Sequence, residues 1–179
     1  MSERSAAHNY MQEKATWYAG LWIDNDEGMY RAVLEIVESS DDYASAEATI
    51  KELIEENNPL AEGADMFTDL LGYIMSFIDY ESLVDDKLEV LENGYPMPDG
   101  VEIFEMTYEQ ILDLPAADQK QYMVDGIRTP GWYWWYCQPG CLPTSDPVGP
   151  FDARYWALKD ADNETENVQI DDGEDEEDD

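Results

Sequence analysis

The sequence predicts a mainly α fold with three parts. These are an acidic helical domain over residues 9–93, a small aromatic-rich α+β module over 95–160, and a disordered acidic tail over 162–179. Three observations support this division. Apolar residues recur at helical spacing through the first half. After Tyr95 prolines become frequent and an alternating pattern begins. The tail holds eleven acids and no base. With 179 residues, 44% of them apolar, the chain is long enough to bury a core.

The first domain is expected to contain five helices. Asn25 or Asp26 can cap the second helix, Asn57-Asn58-Pro59 stops the third, and Asn93-Gly94 ends the fifth. The predicted helices cover residues 9–23, from the cap to about Glu38, 44–56, 64–78 and 81–92.

In the smaller module the residue pattern changes from helical spacing to alternation. Val101–Met106 alternates and predicts a strand, and the dense aromatic residues of 131–137 predict a second strand. Thr107 can cap a short helix that ends at Leu114, and another short helix can follow Pro115. Beyond them the sequence predicts a turn-rich loop over 138–150 and a last short helix over 153–161.

Charge is the most unusual property of the chain. There are 43 acidic and 9 basic residues, a net charge of −34, of which residues 41–93 carry −13 and residues 161–179 carry −11. Such a charge disfavours binding to nucleic acid or to an anionic membrane and favours a cationic partner. The first twenty residues lack the apolar region of a signal peptide, and no stretch is long enough for a membrane span, so we expect a cytoplasmic protein of the host cell.

Like-charged pairs four residues apart occur on three successive predicted helices. Each such pair destabilises its helix by about 0.2–0.5 kcal/mol. For one stripe alone, a solvated helix face is the usual explanation, but the repetition indicates that the carboxylates are kept for binding a partner. The predicted partner-binding residues are Glu52, Glu55, Glu56, Asp65, Asp69, Asp85, Asp86, Glu89 and Glu92.

The amount of charge fits an imitation of DNA. Thirty-four net charges correspond to about 60 Å of duplex. We therefore predict a DNA-mimic inhibitor that occupies a restriction-type defence protein or another DNA-binding protein, and a homodimer would present a longer array. One alternative is a halophile-adapted protein, whose acidity is an adaptation to strong salt. The other is an acidic chaperone that binds a basic protein through its own acidic tail.

The sequence predicts no catalytic residue, metal site or cofactor. Asp24–Gly28 departs from a calcium loop and fits a helix cap better. Cys137 and Cys141 lie four apart, but His8 is the sole histidine, so two packed thiols in a tight turn are expected rather than a zinc site. No phosphate-binding loop, dinucleotide fingerprint or nucleophile elbow is present, and we expect a protein that is not an enzyme.

Two stretches carry resemblances. Thr16–Tyr30 (TWYAGLWIDNDEGMY) resembles a motif of small uncharacterised acidic proteins from phages and mobile elements. The region from Thr129 to Phe151 resembles segments of the same group of proteins. Neither has an assigned activity, so no functional residue transfers. In style the chain is similar to DNA-mimic antirestriction proteins, which are small, helix-rich, very acidic and often dimeric. That similarity implies an anti-defence function class.

Overall fold

The computed structural model of the chain describes residues 3–58, 66–137 and 142–171. It confirms a mainly α fold with a small antiparallel sheet. The chain divides into two compact units, Met1–Leu91 and Glu92–Asp179. The helices of the first part are α1 (Glu3–Asn25), α2 (Glu27–Ser39), α3 (Tyr43–Glu56), α4 (Met66–Met75) and α5 (Tyr80–Gly94).

Side-chain caps and apolar periodicity explain where the first helices lie. The Asp26 carboxylate accepts a hydrogen bond from the backbone N–H of Met29 at 2.9 Å and starts α2, as its position in the sequence predicted. Asp42 caps α3 in the same way through Ser45, at 2.7 Å. Residues spaced three or four apart then form the core of this unit, including Met29, Val33, Val37, Ile50, Ile54, Leu83, Val84 and Leu88.

Helix α1 packs alongside α5 in a parallel arrangement. The hydroxyl of Thr16 accepts a hydrogen bond from the backbone N–H of Asp79, just before α5, at 2.8 Å. A side chain at Gly20 would be in ordinary van der Waals contact with Leu83. The Lys87 ammonium donates to Asp24 at 2.7 Å. Each step of four residues along α1 therefore matches four residues along α5, which defines a parallel pair.

The second unit contains the strands β1 (Val101–Met106), β2 (Met123–Val124), β3 (Ile127–Arg128), β4 (Gly131–Tyr136) and β5 (Val148–Phe151), and the helices α6 (Tyr108–Asp113) and α7 (Arg154–Asp171). Three of the strands form an antiparallel sheet in the order β1-β4-β5. Strands β2 and β3 form a separate hairpin, which follows a short 3₁₀ helix at Asp118–Tyr122.

Side chains of the aromatic strand β4 pack on both faces of this sheet. Trp134 packs with Val101 of β1 and with Ala157 and Ala161 of α7. Tyr133, which points the opposite way, packs with Ile111 and other residues of the second core cluster. Tyr133 and Trp134 are buried, so these two aromatics of the strand are core residues.

Several elements differ from the prediction. Helix α1 begins earlier than residue 9, and β5 and the β2-β3 hairpin lie where loops or a helix were expected. The last helix was predicted to end at 161, but α7 continues to Asp171. Its first turns are held against the sheet by Ala157 and Ala161, and Asp162 accepts a hydrogen bond from the Tyr95 hydroxyl at 2.9 Å. Residues 172–179 of the predicted tail lie outside the described residues.

The buried phenol of Tyr133 gives the second unit a testable pH dependence. Its hydroxyl donates to the Thr129 carbonyl at 2.6 Å, and burial, followed by the proximity of Tyr122, raises the pKa of Tyr133 to about 12. The unfolded value is about 10, so the resulting stability is present below pH ~10 and is lost as the pH rises towards 12. We expect Tyr133→Phe to cost about 1 kcal/mol at neutral pH and to make the alkaline loss less steep, as measured by urea unfolding.

The matched control for this measurement is Tyr108→Phe, because Tyr108 is 49% exposed. It should leave both the stability and its alkaline decline unchanged. A decline between pH 10 and 12 that is as steep in Tyr133→Phe as in the wild type would contradict the assignment.

Candidate functional site

The predicted partner-binding carboxylates lie on the surface of three helices, with one exception. All those on α3, α4 and the first three turns of α5 are exposed, whereas Glu92 near the end of α5 is half-buried. Asp65 lies outside the described residues. The exposed members are Glu52, Glu55, Glu56, Asp69, Asp85, Asp86 and Glu89.

On α3 the carboxylates do not form a single row. Ile50 is fully buried, and Glu52 is two residues and about 200° further around the helix, so it faces solvent directly. Glu56 follows one turn later on the same outer side. Glu55 lies on a flank, where its carboxylate is 4.0 Å from the Lys51 ammonium. At about 100° per residue, Glu55 and Glu56 flank Glu52 within an arc of about 100° on the outer side of α3.

The flank of α3 that faces α5 brings carboxylates of both elements close to each other. The Tyr43 hydroxyl of α3 donates to Asp85 of α5 at 2.5 Å. Nearby, the pKa of Glu47 is raised, first by burial and then by the negative charges of Glu81 and Asp79. We call Glu47, Asp79, Glu81 and Asp85 the α3–α5 carboxylate surface.

Three members of this surface were not predicted. Glu81 could have been found, because it lies four residues before Asp85 and repeats the like-charged spacing of the other pairs. Glu47 lies four residues before Lys51 and reads in the sequence as a balanced pair. Asp79 precedes α5, where its side chain accepts a hydrogen bond from the N–H of Ser82 at 3.3 Å. Only the tertiary structure brings Glu47 and Asp79 together.

Some carboxylates of helix α5 lie beside a cation, and others do not. Asp86 accepts a hydrogen bond from Lys87 at 2.7 Å, and Glu92 lies 3.9 Å from Arg154 within the second unit. In the part of the chain that the structure describes, Glu89 forms no ion pair, and neither do Glu52, Glu56 and Asp69. Asp85 and Glu89 are therefore exposed on α5 without an ion-pair partner among the described residues, whereas Asp86 and Glu92 each lie beside a cation.

The described residues contain no group of three or more His, Cys, Asp or Glu side chains that could hold a metal ion. Cys137 is half-buried, and Cys141 lies outside the described residues. No helix in those same ranges is long and apolar enough to cross a membrane. The solvent-exposed carboxylates of α3 and α5 are able to bind cationic groups.

No protein-family model, curated protein or solved structure matches this chain.

Proposed function

We propose that this protein is a DNA-mimic inhibitor that occupies the DNA-binding site of a restriction-type defence protein or another DNA-binding protein. The observation that carries the proposal is the α3–α5 carboxylate surface. There, burial and after it the negative charges of Glu81 and Asp79 raise the pKa of Glu47, and Asp85 and Glu89 continue the charge along α5 without an ion-pair partner among the described residues. Like charges held this close cost stability, which is consistent with retention for a cationic partner.

The physical basis is the same as in the binding of DNA itself. A DNA-binding groove presents Lys and Arg side chains to phosphates, and these can be satisfied by carboxylates at similar spacing. Electrostatic complementarity of this kind speeds association and decreases steeply with salt. The outward carboxylates of Glu52 and Glu56 enlarge the negative field but lie on another side of α3.

The test is a competition between this protein and a labelled DNA duplex for purified restriction endonucleases and DNA methyltransferases. We expect the wild type to displace the duplex and excess duplex to displace the protein. Neutralising the surface by Glu81→Gln, Asp85→Asn and Glu89→Gln together should raise the inhibitory concentration about tenfold or more, without unfolding the chain. Glu92 is left unchanged because of its contact with Arg154.

The matched control removes the same charge from the second unit, by Glu105→Gln, Asp113→Asn and Glu164→Gln, all of which are exposed. It should change the inhibitory concentration by less than about twofold. Equal inhibition by the two triple variants, or failure of excess duplex to compete, would disprove mimicry by this surface. Unfolding below roughly molar salt would favour the halophile alternative, and loss of partner binding on removal of residues 172–179 alone would favour the chaperone.

A further inference from the structure

A second surface of the first unit is apolar rather than acidic. Helices α1 and α4 border an open groove of about 410 Å³, whose floor includes Ile54 of α3. We call this the α1–α4 groove. Its walls are lined by the apolar side chains Met11, Tyr18, Trp22, Leu71, Ile74 and Met75.

Large side chains of this groove are left in contact with solvent. Tyr18 is 63% exposed, Trp22 is 47% exposed and Ile74 is 37% exposed. Contiguous apolar surface of this kind marks an interaction site in a water-exposed protein. Aromatic and methionine side chains are also the residue types most enriched where proteins bind one another.

An acidic cleft adjoins the groove. Asn58, Met75 and Ile78 line both, so the two depressions are continuous. The charged side chains that line the cleft are Glu47, Glu55 and Lys51, whose ammonium lies 4.0 Å from Glu55, so the carboxylates outnumber the cation. Burial, and after it the negative charges of Glu81 and Asp79, raise the pKa of Glu47.

We propose that the α1–α4 groove binds an amphipathic helix of a basic partner protein. The apolar face of the helix would lie between α1 and α4, and Lys or Arg side chains at one end would reach Glu47 and Glu55. Charge complementarity selects this occupant. Residues 1–91 hold 21 acidic and 5 basic residues, a net charge of −16, which attracts a cationic helix.

The same charge argues against the other occupants. Two copies of this unit would bring −16 against −16, and an anionic lipid would be repelled as well. Among the described residues, Lys14 is the one cation that lines the groove, and its ammonium is already 3.3 Å from the Glu13 carboxylate. The groove proposal does not rest on DNA mimicry, because its recognition is carried by apolar contacts that duplex DNA does not imitate.

The experiment measures the binding of labelled synthetic peptides of about five helical turns to the full chain by fluorescence anisotropy. One peptide has an apolar face and a Lys/Arg face, a second has the same composition in scrambled order, and a third carries Glu in place of Lys/Arg. We expect the basic amphipathic peptide to bind about tenfold or more tightly than either of the others at moderate salt. Sedimentation of the chain without peptide should show no homodimer formed through the groove.

Two double variants separate the groove from the rest of α1. Tyr18→Ser with Trp22→Ser removes two side chains that line the groove, and should weaken binding of the basic amphipathic peptide about tenfold or more. Tyr10→Ser with Leu21→Ser is the matched control, because these residues are 59% and 43% exposed on α1 without lining the groove. It should change the dissociation constant by less than about twofold.

Because all four positions are exposed, both double variants should unfold at the wild-type temperature, which thermal melting checks. The proposal is overturned by equal binding of the ordered and scrambled basic peptides, by equal loss in both double variants, or by a homodimer that the groove variant dissociates. The groove variant should still displace a DNA duplex as the wild type does. Failure of the groove and failure of DNA mimicry are therefore observed in different assays.

Discussion

Replacing Trp134 by alanine is expected to lower the free energy of unfolding of the second unit by about 3–5 kcal/mol. The indole is 2% exposed and packs against Val101, Ala157 and Ala161, so its removal leaves a cavity between the sheet and α7. Its N–H also donates to the Asp160 carboxylate at 2.8 Å, and this hydrogen bond joins β4 to α7. Urea unfolding followed by amide signals of β1 and β4 measures the loss.

Two further variants identify the source of that loss. Trp134→Phe keeps most of the apolar contact but removes the hydrogen bond, and it should cost less than alanine does. Trp135 is only half-buried, and its N–H bonds to the exposed Glu102 at 2.9 Å, so Trp135→Ala should cost less than Trp134→Ala. If Trp134→Ala and Trp135→Ala have equal effects, the packing of β4 on α7 does not carry the stability of this unit.

Replacing Lys87 by alanine is expected to lower the free energy of unfolding of the first unit by about 2–3 kcal/mol. Lys87 is 3% exposed, and its ammonium lies 2.7 Å from Asp24 and from Asp86 and 5.0 Å from the centre of the Tyr30 ring. The variant loses both the packing of the stem and the two hydrogen bonds. The expected cost is below that of a fully buried ion pair because both carboxylates are about half exposed and remain solvated.

Lys87→Met separates packing from charge and should restore a large part of the stability lost in Lys87→Ala. Burial alone would lower the pKa of Lys87, but the hydrogen bonds that its ammonium donates to Asp24 and Asp86, together with their negative charges, outweigh burial and raise the pKa above 10.5. The stability due to the pair is therefore present below the unfolded pKa and is lost as the pH rises through the higher folded value. A wild type and a Lys87→Met variant with the same decline above pH 10.5 would contradict this.

The sequence patterns predicted the helices where side-chain caps and apolar spacing coincide. Asp26 and Asp42 cap helices whose buried residues recur four apart, and Thr107 caps the short α6, which buries Ile111. Such local interactions act within one turn. The β2-β3 hairpin was missed although Asp125-Gly126 is a typical turn dipeptide with positive φ angles of 52° and 80°. Its strands have two residues each, which is too short for an alternating pattern.

Strand β5 could not be predicted because its conformation depends on its neighbour. Gly149 has a φ of 140°, and a Cβ atom there would lie 2.7 Å from the Trp132 carbonyl oxygen and from the Tyr133 ring. The proline and glycine that favoured a loop are thus the residues that let the chain pair closely with β4. The same reasoning applies to the candidate site, where Glu81 was readable from spacing but Glu47 was not.

The parallel pairing of α1 and α5 has a consequence for how the first unit forms on the ribosome. The contacts of Thr16 with Asp79 and of Asp24 with Lys87 each span 63 positions of the chain. Closing so long a loop is entropically costly and comes late, because the short-range pairs α1–α2 and α2–α3 can assemble first. Until α5 has emerged, the flank of α1 around Gly20 has no partner. A nascent chain that stalls before residue 80 would leave this flank of α1 open to chaperones and proteases.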